Sequence, residues 1–66
     1  MISRLVLSYV STVGMANTTQ IENCVLLHGH TKQQAYGAIG YCRSKGLLQI
    51  VSTINILGRV EHIFRT

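Results

Sequence analysis

Sixty-six residues, 47% hydrophobic and 12% charged, suffice for one domain with a marginal core and exclude a disordered tail. Six Lys/Arg against two acidic residues give a net charge of +4, which suits an anionic partner such as nucleic acid or an acidic protein surface. Two cysteines, Cys24 and Cys42, cannot build the framework of a small secreted domain, so reduced thiols and a cytoplasmic setting are expected.

Ile2, Leu5, Val6, Tyr9, Val10 and Val13 recur at helical spacing and form one apolar stripe, with Ser8, Ser11 and Thr12 off it. The pattern predicts a first helix over 3–13, with Ser3 as an early cap and Gly14 at its left-handed end. Arg4 ahead of an apolar stretch and Gly14-Met15-Ala16 behind it loosely mimic a signal peptide. The interrupting hydroxyls and the helical spacing favour a helix of the folded domain instead. No apolar run approaches the roughly 20 residues of a membrane span, so no membrane partner is expected.

Residues 15–18 are too few for a helix and read as a short strand. Thr19 with Glu22 has capping-box spacing and predicts a helix over 20–28, closed by Gly29. Ile21, Cys24 and Val25 would turn inward, joined by Leu27 or His28. Thr31 with Gln34 repeats the signature and opens a third helix over 32–45, closed by Gly46. A connection of about three residues that contains a glycine fits the sharp crossing of a helix-turn-helix. On the third helix Ala35, Ala38, Ile39 and Cys42 form the buried face. Gln33, Tyr36, Gly37, Gly40 and Arg43 form the opposite one, which carries no carboxylate.

From Leu47 the period changes to two. Residues 47–65 read as a hairpin with a turn around 55–58, Val60, His62 and Phe64 alternating with Arg59, Glu61, Ile63 and Arg65.

Ala35-Tyr36, Ile39, Cys42 and Lys45-Gly46-Leu47-Leu48 resemble the winged helix-turn-helix family of bacterial and phage transcription regulators. The resemblance extends over nearly the whole chain, and in size it is nearest to small fimbrial-operon, phage or plasmid regulators. It implies an α+β fold of three helices, a C-terminal two-stranded wing, and a short strand after the first helix that pairs with the wing. It also implies double-stranded DNA as partner, with the 32–45 helix in the major groove and the wing on a backbone or minor groove. Carried over by position, Thr31, Lys32, Gln33 and Gln34 meet phosphates and base edges. Tyr36 and Arg43 contact backbone or bases, and Arg59 is the wing cation. The chain departs from the family in having only Lys32 and Arg43 as cations on this helix before Lys45, and an apolar wing tip.

Gln34 has a capping duty, so Gln33 is the better candidate to read adenine. Gly37 and Gly40 each cost about 1 kcal/mol against Ala in a helix interior, which points to close approach by DNA or a partner helix. His28 and His30 flank a glycine turn without nearby Cys, Asp or Glu, a poor metal site. No nucleophile has a supporting base and orienter, so neither catalysis, a cofactor nor a small-molecule substrate is expected. Two function classes stay open: a DNA-binding regulator, or a module needing a protein partner, with an excisionase-like architectural binder beside them. Ile54, Ile56 and Leu57 at the hairpin tip are the expected interface of a homodimer or partner regulator.

Overall fold

The first apolar stripe becomes α1 (Ile2–Val13) in the computed structural model, which describes residues 2–66. Val6 and Val10 are fully buried, and Ile2, Leu5, Leu7 and Tyr9 pack beside them. Two details differ from the expected helix. Ser3 lies inside it rather than capping it, buried with its carbonyl facing the Cys42 thiol at 3.8 Å. Val13 runs off the stripe and is half exposed, because Gly14 turns the chain away at φ 90° while donating its N–H to Val10.

Only Ala16–Asn17 form β1, since α2 (Thr18–Leu27) starts two residues earlier than its pattern suggested. Its N-cap is Asn17, not Thr19. The Asn17 side chain accepts from the Gln20 N–H at 2.8 Å, and the Gln20 side chain accepts from the Asn17 N–H at 2.9 Å. Both Asn17-x-x-Gln20 and Thr19-x-x-Glu22 satisfy the capping-box spacing. Thr19 is withdrawn because its N–H and hydroxyl both donate to Glu61. Ile21 and Val25 are buried and Cys24 is half-buried, whereas Leu27 and His28 face outward. The His28 ring instead lies along the helix end, its Nδ1 2.9 Å from the Cys24 carbonyl.

Thr31 and Gln34 close the expected capping box on α3 (Lys32–Ser44), with contacts of 3.2 and 2.8 Å. Lys45 is the C-cap, one residue beyond the helix. Ala35, Ala38, Ile39 and Cys42 are buried as the spacing requires. Gly46, at φ 72°, redirects the chain so that the Leu47 and Leu48 N–H groups both return to the Cys42 carbonyl. Leu48 thereby enters the core.

The hairpin pairs β2 (Gln49–Ile56) with β3 (Arg59–Arg65). Its turn is tighter than expected. Leu57 and Gly58 alone make it, both at positive φ (50° and 80°), the two-residue geometry that suits the twist of the flanking strands. A bulge between Ile50 and Ser52 shifts the register by one residue. Strand order is β1-β3-β2, all antiparallel, so β3 is central and β2 is an edge.

The result is an α+β fold in the element order of a winged helix-turn-helix domain: helix, short strand, two helices, hairpin. Phe64 is the largest fully buried side chain and sits opposite Ala16 in the β1–β3 ladder, with Ile21, Val6, Val10 and Val25 also enclosed. Each such side chain contributes about 1.5–3 kcal/mol through burial. Both cysteines are free thiols, and burial pushes the Cys42 thiol above its ordinary value. Among the described residues, no helix is long and apolar enough to cross a membrane.

Candidate nucleic-acid interface

Packing Ala35, Ala38, Ile39 and Cys42 against α1 and α2 forces the other side of α3 outward. Lys32, Gln33, Tyr36, Gly37, Gly40 and Arg43 are all exposed. From Lys32 to Arg43 is eleven residues, a span of roughly 16 Å at 1.5 Å per residue. Tyr36, Gly40 and Arg43 follow one another at i, i+4 and i+7, so they share a stripe. A helix presenting such a stripe fits a major groove about 12 Å wide.

The candidates are not equivalent. Gln34 is committed, its side-chain carbonyl accepting the Thr31 N–H, and Thr31 is committed with it. Gln33 has no such duty. At Gly37 and Gly40 an added Cβ would meet nothing within 4 Å, so no packing contact inside the chain explains either glycine.

Lys32 and Tyr36 are engaged more closely than the sequence suggested. Glu22, expected to cap α2, instead bridges to α3. Its carboxylate lies 3.6 Å from the Lys32 ammonium and accepts the Tyr36 hydroxyl at 3.0 Å. The Glu22 side chain is largely covered (13% exposed) and the Lys32 side chain is open (61%). The contacts tie α2 to α3 and offset a positive charge in the first turn of α3. With its lysine end open to solvent, a pair of this kind contributes about 0.2–1 kcal/mol. No local sequence signal marks it, because Glu22 and Tyr36 are fourteen residues apart. Arg43 stands exposed on the outward face, outside this ion pair.

The wing carries Arg59 beside the turn, paired with Ile56. Its charge acts on Glu61, two residues along β3. The Thr19 hydroxyl is the main influence holding the Glu61 carboxyl below its ordinary range, against the opposing effect of burial, with the Thr19 N–H and Arg59 assisting. Glu61 is thus the group that satisfies the first turn of α2, a role that chain order conceals. Around it the hairpin is apolar: Leu57 is fully exposed, Ile56 and Val60 are exposed, and Ile54 is half-buried. Thr53 and His62 lean together across the strands at 3.0 Å.

Among the described residues, no group of three His, Cys, Asp or Glu side chains gathers in a way that would hold a metal ion. His28 is the C-cap of α2, and His30 follows the turn at Gly29. A comparison with protein-family models, characterised proteins and solved structures finds no match.

Proposed function

We propose that this protein is a small cytoplasmic transcription regulator that binds double-stranded DNA. In this reading α3 enters the major groove and the hairpin lies along the adjoining backbone. The observation that carries it is the outward face of α3: Gln33 and Arg43 stand exposed beside two glycines with open space above them, and the helix itself contributes no carboxylate, Glu22 of α2 reaching only Lys32 and Tyr36. Gln33 supplies amide contacts to a base edge. Arg43, with Lys32 and Arg59, neutralises phosphates and sets register. Tyr36, held by Glu22, offers its ring edge to the sugar-phosphate wall.

A second reading is favoured by the Lys32–Glu22 pair and the apolar hairpin. Here the module binds DNA only with a protein partner, whereas an excisionase-like architectural protein would contact DNA directly and falls with the first reading. Gel shifts on random duplex at two salt concentrations separate the readings. Direct DNA binding gives a complex that weakens steeply with salt and an Arg43→Ala variant whose salt slope falls by about 0.9. No shift at low salt overturns the first reading and leaves the partner-dependent one.

A further inference from the structure

Sheet edges in monomeric proteins are ordinarily blunted by charge, proline, shortness or a covering element. The β1 edge is two residues long and runs straight into α2. The other edge has no such device over most of its length. β2 reads Gln-Ile-Val-Ser-Thr-Ile-Asn-Ile, eight residues without a charge or a proline, half of them β-branched aliphatics, and all but Ile54 are exposed. Its bulge lies at the end nearest α3 and leaves 52–56 in regular register.

We propose that β2 pairs antiparallel with β2 of a second copy of this chain, joining two three-stranded sheets into one of six. The register of the hairpin sets the geometry. In a two-residue hairpin the pair next to the turn, Ile56 and Arg59, exchanges both backbone hydrogen bonds inward, and inward pairs then alternate. Ile54 and Ser52 therefore also point their N–H and C=O groups at β3. Thr53 and Asn55 point theirs away from the sheet. With a two-fold axis at Ile54, Thr53 meets the partner's Asn55 and Asn55 meets the partner's Thr53, closing four backbone hydrogen bonds. Ile54 then faces the partner's Ile54 in a non-hydrogen-bonded pair, where side chains approach most closely.

The occupant is a second copy because the strand matches itself. It carries no charge that a symmetric partner would repel. The only charged residues next to it in the ladder, Arg59, Glu61 and Arg65, lie on β3, one strand removed from the axis. A standard interface takes about 800 Å² from each partner, under a fifth of the 4315 Å² this chain exposes, and the edge with Ile54, Ile56 and Leu57 beside it supplies an apolar centre. One consequence rests on the DNA-binding reading. Gln49, where the chain arrives from α3, would stand roughly 30 Å from the partner's Gln49, close to one turn of DNA.

Sedimentation at high micromolar concentration without DNA tests the pairing independently of DNA binding. The wild-type chain is expected to sediment as a dimer. Asn55→Pro removes an N–H that the folded monomer does not use, and with it two of the four intermolecular hydrogen bonds, so dissociation should rise roughly thirtyfold with the circular dichroism unchanged. Val60→Lys alters the exposed apolar surface on β3 without touching the edge and should leave the dimer intact. Ile54→Cys should cross-link copies under mild oxidation, because Cα atoms about 4.5 Å apart lie within disulfide range, whereas Val60→Cys should not. A strictly monomeric wild type overturns the proposal. So does a dimer broken by Val60→Lys and indifferent to Asn55→Pro, which would mean packing by faces.

Discussion

Replacing Gly40 by Ala, alone and with Gly37→Ala, should push stability and DNA affinity in opposite directions. Neither glycine has a positive φ, and a Cβ at either meets nothing within 4 Å. Alanine therefore enters without strain and removes the entropic cost of glycine in a helix interior. That gain is about 1 kcal/mol per site, the upper end of what unstrained Gly→Ala changes deliver. For a domain this small 1 kcal/mol corresponds to roughly 4–8 °C in Tm, so the double variant should melt roughly 8–16 °C higher. DNA affinity should fall if the proposed function holds, since each methyl projects from the face proposed to enter the groove. Calorimetry and a titrated gel shift on the same preparations read both quantities. Raised Tm with unchanged affinity would mean that nothing approaches this face closely. Lowered Tm would mean that the space above α3 is not open.

Glu22→Gln should release Lys32 from its ion pair and steepen the salt dependence of DNA binding, as read in gel shifts at several salt concentrations, while costing little stability. Ile39→Ala should destabilise the fold by about 2–5 kcal/mol in denaturant melts, because a buried aliphatic in the α3 contact is truncated. The folded-state pKa of Glu61 lies below its unfolded value, so the unfolded chain binds the extra proton between them and stability rises with pH across that window. The contribution is complete above the ordinary value of 4.5 and is lost as pH falls through the lower folded value. Acid melts of Glu61→Gln should accordingly lack this limb and begin from a lower plateau at neutral pH. Leu57→Asn should raise Tm, because Leu57 holds a left-handed φ of 50° that asparagine tolerates far better.

Helical stripes and glycine stops were legible because each depends on residues within one or two turns. The face of α3 carried by Ala35, Ala38, Ile39 and Cys42 is such a case, and so is the Thr31–Gln34 cap, which had no rival. Misreadings arose where a distant group decided. Two capping boxes overlap at the start of α2, and only Glu61, forty-two residues beyond Thr19, selects Asn17. Glu22 passes to α3 for the same reason: a carboxylate relieved of capping is drawn to the nearest cation and hydroxyl. Periodicity offered an inward place to Leu27 or His28, but α2 ends at Leu27 and both stay exposed. At the candidate interface the exposed positions were readable from spacing. The engagement of Lys32 and Tyr36 was not, because it depends on how two helices cross.

Glu22 and Glu61 are the chain's two acidic residues, and both are turned to internal partners. With both acids so engaged and a net charge of +4, repulsion of like positive charge is the main electrostatic force that association of two copies has to overcome. Added salt shortens the reach of that repulsion to about 8 Å near 0.15 M. Ionic strength should then act in opposite senses on the two surfaces, loosening a grip on phosphate while letting uncharged β2 edges meet. Storage in low salt would favour dispersed molecules, and concentrated salt would favour association and eventual precipitation.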